Sequence, residues 1–202
     1  MNTNLELSKK EYDVIINSDF ILTKNRIIEK INALYAILSD EYKNELSKHA
    51  LHLPGEIFNI SPKIYKGEQY KGLPYVMLDY PRCFSKTDVF AIRSFFWWGN
   101  YFSITLQLSG KYLKLFGNKL FNFIKNEKNK DWFLGVNESE WEHHFEKDNY
   151  ILLDDLKSLN ELDFQNRQFI KLANKLPIFN WQFATNFYLT QYKLLLQMLC
   201  GD

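Results

Sequence analysis

Residues 88–108 read DVFAIRSFFWWGNYFSITLQL, and the kind of fold this chain adopts turns on them. In the second half, Phe102, Ile104, Leu106 and Leu108 alternate with Ser103, Thr105 and Gln107, the period of a strand with one buried face. The first half is rich in aromatic and β-branched residues and carries a weaker alternation, so two strands, 88–97 and 101–108, form a hairpin.

Register follows from the loop. A two-residue Gly99-Asn100 turn would set Arg93 opposite Leu106 on the apolar face, where a charge needs a buried partner. A three-residue loop, Trp98-Gly99-Asn100, pairs Trp97 with Tyr101 instead. Phe90, Ile92 and Phe96 then share the core face with Phe102, Ile104, Leu106 and Leu108. Such loops end in a left-handed residue, a role assigned to Asn100. The opposite face displays Ala91, Arg93, Phe95, Trp97, Tyr101, Ser103, Thr105 and Gln107.

Working outward, residues 75–79 read as a third strand and 132–136 as a candidate fourth, while 150–153 fit helix or strand. Four of the five prolines (54, 62, 74 and 81) precede the hairpin and exclude a long helix there. On the N-terminal side, Ser8-x-x-Glu11 is a capping box followed by Tyr12, Ile15 and Ile16 at helical spacing. A second helix opened by Thr23 puts Ile27, Ile28, Ile31, Leu34, Tyr35 and Leu38 on one face, and a third short one covers 42–49. On the C-terminal side, Tyr112, Leu113, Phe116, Leu120, Phe123 and Ile124 mark a helix. Ser139-x-x-Glu142 caps a short one bearing Trp141 and Phe145, and residues 160–176 suit a helix ended by Pro177. The last helix, 182–199, is apolar nearly all round near its end, so it is buried centrally or lies in a subunit interface. The expectation is a single-domain α+β fold over residues 1–202: a mostly antiparallel sheet covered by N-terminal and C-terminal helices.

Composition bounds the rest. The chain has 202 residues, 46% apolar, with 25 basic against 24 acidic side chains, enough to bury a core without disulfides or metal. No apolar run approaches the roughly 18 residues of a membrane span, and the start at residues 1–4 is polar, so the expected setting is soluble and cytoplasmic, away from membranes. The near-zero charge hides blocks: residues 111–135 hold six bases against two acids, and 136–163 hold two against nine. Opposite blocks side by side need no outside partner.

The 17% aromatic content follows in part from A/T-rich codons, which also favour the abundant lysines. Trp and Arg do not follow from that bias, and two of each fall within residues 82–98. Asp79, Arg82, Arg93, Trp97, Tyr101, Ser103 and Thr105 are therefore the candidate ligand-binding set: a guanidinium fork, rings to stack on and neutral donors, suited to an anionic small molecule. Arg82 is expected in a loop after a strand ended by Pro81. Residues 85–88 either add to the site or form an ordinary turn. The competing structural reading pairs the arginines with Asp79 and Asp88.

Other chemistries lack their motifs. Glu140-x-x-His143 is half of a di-iron spacing without its second half, Glu45-x-x-x-His49 stands alone, and no His-Glu-x-x-His or Cys-x-x-Cys occurs. No metal and no cofactor is expected, with Glu140 to His144 on the exposed side of the short acidic helix. Cys83 reads as a small buried hydrophobe. The lysines around 111–130 are the one feature suited to nucleic acid, which the pI of about 7.7 argues against. The expected function is a non-enzymatic binding or protein-interaction domain using the 88–108 hairpin face, with self-association through helix 182–199. The alternative is a small enzyme with Arg82 and Arg93 clamping an anionic substrate and Asp79 or Asp88 as general base.

Overall fold

The structure, a computed structural model, describes residues 5–156, 164 and 166–201. Its strands are β1 (Lys63–Tyr70), β2 (Leu73–Phe84), β3 (Val89–Trp97), β4 (Tyr101–Ser109), β5 (Phe133–Gly135), β6 (Tyr150–Leu152) and β7 (Phe169–Pro177). They form one antiparallel sheet in the order β1-β2-β3-β4-β7-β5-β6. The helices are α1 (Lys9–Ile15), α2 (Ser18–Ser47), α3 (Gly110–Lys125) and α4 (Ala184–Cys200). This is the single-domain α+β fold, with helices flanking the sheet.

The hairpin register is the three-residue one: Trp97 pairs with Tyr101, Arg93 with Thr105, and Phe90, Ile92 and Phe96 with Leu108, Leu106 and Phe102. The left-handed residue, however, is Gly99 (φ 73°), not Asn100. The Asn100 N–H donates to Trp97 O at 3.0 Å, so glycine occupies the third position of a four-residue turn, where positive φ is required.

That apolar face packs under α2, α3 and α4. Ile31, Tyr35, Leu38, Tyr42 and Leu46 form the buried stripe of α2, which takes in residues 42–47 of the segment expected as a separate third helix. Buried hydroxyls find partners here. Tyr35 and Tyr188 share a 2.9 Å hydrogen bond, the Tyr188 hydroxyl donates to Phe95 O, and Tyr42 bonds Ser94. In α4, Leu195, Leu196 and Leu199 are consumed by the chain's own core, between α2, α3 and β4. Its apolar end is thus accounted for without a second subunit.

Several elements depart from expectation. β2 continues past Asp79 to Phe84, with a register shift between Asp79 and Arg82 that lodges Pro81 where no ladder N–H is required. Arg82 therefore pairs with Ala91 on a strand instead of lying in a loop. β1 is an edge strand whose Lys63, Lys66 and Glu68 disguise it in the sequence, as charges on edges do. Lys71 and Gly72, both at positive φ, close the β1–β2 hairpin in two residues. Residues 169–176 form a strand, not the C-terminal part of a helix; Ile170, Leu172 and Leu176 alternate with Lys171, Ala173 and Lys175. Of that expected helix, 160–163 and 165 lie outside the described residues, as do residues 1–4. Residues 139–145 form no helix. Finally, α3 starts at Gly110 (φ 54°), where a Cβ would sit 2.1 Å from Asp88 Oδ1 and 2.5 Å from Thr87 O.

Candidate functional site

The second face of the sheet carries the predicted site residues, and it is not open. The segment 137–149, between β5 and β6, lies across it. Asp79 and Arg93 are cross-strand partners on β2 and β3 and are buried together. Arg93 Nε donates to Asp79 Oδ1 at 2.7 Å and a terminal nitrogen to Oδ2 at 2.8 Å, the two-pronged geometry that guanidinium and carboxylate share. Burial works against the Arg93 charge, but the hydrogen bonds and charge of Asp79 outweigh it and raise its pKa. Tyr65 on β1 donates a further bond to Asp79 at 3.1 Å.

The remaining Arg93 nitrogen faces His143 Nε2 at 3.4 Å. Burial holds His143 well below the ordinary imidazole range, and the Arg93 and Lys171 charges push the same way, so the ring is neutral. Around this pair the strands grip the covering segment by its backbone. The Tyr70 hydroxyl accepts from the His143 and His144 N–H groups (2.7 and 3.0 Å) and donates to Glu142 (3.1 Å). Tyr101 donates to His143 O, and Gln107 donates to Glu140 at 2.6 Å. Lys171 is 1% exposed; its Nζ donates to Glu142 O at 2.7 Å and to Asn149 Oδ1 at 3.3 Å. Burial lowers the Lys171 pKa to about 8 against the pull of Glu142. Tyr70, pushed up by burial to about 12, stays protonated.

The predicted residues thus divide. Asp79, Arg93, Trp97, Tyr101, Ser103 and Thr105 share the covered face, where Trp97 packs with Met77 and Phe95. Arg82 stands outside this group, donating Nε to Ser61 O at 3.0 Å. Asp88 accepts the Lys111 N–H at 2.8 Å, holding the start of α3. Cys83 is buried as expected, and burial raises its thiol pKa. His144 is buried at 3% exposure, against the expected exposed side of a helix. Sequence reading missed Tyr65, Tyr70, Glu142 and Lys171, which lie on the hidden edge strand, the covering segment and the strand read as a helix.

At one end of the covered face the segment stops short and leaves a cleft of about 620 Å³. Its walls are the β2–β3 turn (Ser85, Lys86, Thr87), Glu138 to Trp141, and Gln168 with Phe169. Phe84 and Trp141, both exposed, stand at its mouth with ring centroids 6.3 Å apart.

A different surface lies at the N-terminus. The capping box of α1 forms as read, with the Glu11 N–H donating to Ser8 Oγ and the Ser8 N–H to Glu11. Yet α1 buries nothing. Ile15 is 69% and Ile16 63% exposed; Tyr12, Phe20, Ile21 and Leu22 are each half or more exposed, and a groove of about 400 Å³ runs between α1 and the start of α2. No helix among the described residues is long and apolar enough to cross a membrane.

The chain matches no family model, and neither a curated protein nor a solved structure is significantly similar to it.

Proposed function

We propose that the chain is a non-enzymatic protein-interaction domain, and that its contact surface is the N-terminal arm of residues 5–22. One observation carries this reading. A helix with a well-formed cap presents the apolar stripe Tyr12, Ile15 and Ile16, and nothing within the chain buries that stripe. Contiguous apolar exposure of this kind marks a surface that is covered when the protein works. The occupant is a second copy of this chain: an apolar stripe on a short helix can pair with itself about a two-fold axis, each copy giving and receiving the same residues. Self-association is thereby assigned to the arm, since the apolar end of α4 is buried in the chain's own core.

The anionic-substrate alternative draws less support from the geometry. Asp79 is held by Arg93, Asp88 accepts from the α3 backbone, and Arg82 donates its Nε to Ser61 O, away from both acids. The mixed hairpin face acts in this reading as the mount for the 137–149 segment. The experiment is light scattering coupled to size exclusion over a hundredfold concentration range. A dimer that dissociates in Ile15→Asp/Ile16→Asp is expected, and a monomer at every concentration overturns the assignment.

The cleft favours a second reading, ligand binding. Aromatic rings beside Ser85, Thr87, Ser139 and Glu138 offer a stacking face, hydroxyls and an acceptor, which suits a polyhydroxylated molecule. Protection of Trp141 fluorescence from a quencher by a panel of sugars, lost in Phe84→Ala, is the expected result.

A further inference from the structure

Among its described residues, the acidic block at 136–163 contains one place where charge is gathered instead of spread. His144, Glu146 and Asp148 each turn a ligand-type atom toward the others, all within 4.8 Å. Two exposed acids near a histidine would mean little alone. What distinguishes this group is the imidazole: His144 is 3% exposed, its Nδ1 has no hydrogen-bond partner among the described residues, and Nδ1 faces Asp148 Oδ1 at 3.8 Å. That spacing is too long for a hydrogen bond and a few tenths of an ångström over the roughly 3.4 Å between two donors that share one tetrahedral ion with bonds near 2.1 Å. A buried nitrogen left without a partner is costly, and an ion removes the cost.

The other ring nitrogen strengthens the case. His144 Nε2 lies 3.4 Å from Glu142 Oε2, the same oxygen that accepts the Tyr70 hydroxyl. A carboxylate beside the far nitrogen favours the proton there and leaves the Nδ1 lone pair on the side of Asp148, an arrangement common among metal-ligating histidines. The turn bearing the two acids is tied in place: Asn149 and Tyr150 N–H groups both donate to Glu146 O at 2.9 Å, and Asn137 donates to Asp148 O at 3.1 Å.

We propose that His144, Glu146 and Asp148 bind one divalent first-row transition-metal ion, with Glu142 orienting the imidazole from behind. One nitrogen with two carboxylates suits Zn²⁺ and its neighbours; Mg²⁺, which prefers oxygen and keeps its waters, fits poorly. The site is independent of the N-terminal arm.

The test is equilibrium dialysis of the chelator-stripped full chain against Zn²⁺, with Mg²⁺ as competitor and Co²⁺ absorption as a second readout of the ligand field. Expected are one equivalent of Zn²⁺, no displacement by excess Mg²⁺, and at least tenfold weaker binding in Glu146→Gln/Asp148→Asn. That variant changes only exposed side chains, and circular dichroism checks its fold. Glu142→Gln, a positioning residue, weakens binding by 10- to 100-fold and alters the Co²⁺ spectrum. No stoichiometric binding, unchanged affinity in the double variant, or equal competition by Mg²⁺ would each overturn the site.

Discussion

The two faces of this sheet are built by the same strands, alternate residue by alternate residue, and are covered by opposite means. On one, Phe90, Ile92, Phe102, Ile104, Leu106 and Leu172 meet three helices and exclude water chiefly by apolar area, with a few paired hydroxyls such as Tyr42 on Ser94. On the other, Asp79, Arg93, Gln107 and Lys171 are equally buried, but what lies over them is a segment without helix or strand, held by directed hydrogen bonds. A helix satisfies its own backbone and needs only apolar contact to dock. An irregular segment brings unpaired N–H and C=O groups, and the polar side chains of this face exist to pair them. The contrast explains why tyrosine, histidine and lysine fill positions that leucine fills across the sheet.

Four changes would break or sharpen that contrast. The largest effect is expected from Arg93→Met, which strands the Asp79 carboxylate in the interior and should cost about 3–5 kcal/mol in urea unfolding. Arg93→Met/Asp79→Leu should recover at least half of that loss; costs that simply add would mean the pair is no coupled unit. On the helix-covered face, Leu106→Ala should cost about 2–5 kcal/mol. It should add, within about 0.5 kcal/mol, to any apolar deletion with which it shares no packing partner, since contacts far apart act independently.

Tyr70→Phe removes one hydroxyl that serves three groups of the covering segment, at about 1–3 kcal/mol. Amide exchange in residues 139–149 should quicken selectively; a uniform loss of protection would show that the segment is not held by this anchor.

The smallest effect is a pH dependence. Lys171 titrates near pH 8 when folded and near the ordinary lysine value when unfolded, so above pH 8 the unfolded chain binds the extra proton. Stability therefore rises from pH 8 toward pH 10, by about 1–2 kcal/mol. Above that, the buried tyrosines, whose hydroxyl pKa values are raised, reverse the slope, because the folded state keeps protons that the unfolded state has lost. Lys171→Met should remove most of the rise measured by denaturant unfolding, leaving the smaller part due to Lys175, whose pKa burial also lowers, and the fall.

How far the sequence could be read follows the same division. Wherever burial is by apolar area the pattern is visible: the α2 stripe, the α3 face, and the register of β3 on β4 all follow from periodicity and from the exclusion of Arg93 from the apolar face. Where polar residues do the work, pattern misleads. The lysines of β7 and the charges of β1 masked strands, and the Ser139-x-x-Glu142 spacing mimicked a helix cap although Ser139 Oγ accepts only a local turn bond from the Trp141 N–H. Asp79 with Arg93 was legible as a candidate pairing because both residues flank one bend of chain. The partners that complete their surroundings, Tyr65 and Tyr70, His143, and Lys171, come from three remote stretches that only the sheet order brings together.

That order has a consequence for how the protein is made. β7 is the last strand in the chain, yet it lies between β4 and β5, so the four-stranded half that emerges first from a ribosome has an open edge until residue 177 is out. Neither β5 nor β6 can join the sheet before then, and the 137–149 segment has no Lys171 to bind. Synthesis leaves β4 a bare hydrogen-bonding edge for the time needed to add about seventy more residues, several seconds at ordinary elongation rates. A ribosome-stalled chain ending before residue 169 should be sensitive to proteolysis after residue 109, and one extended past 201 with a linker clear of the exit tunnel should not.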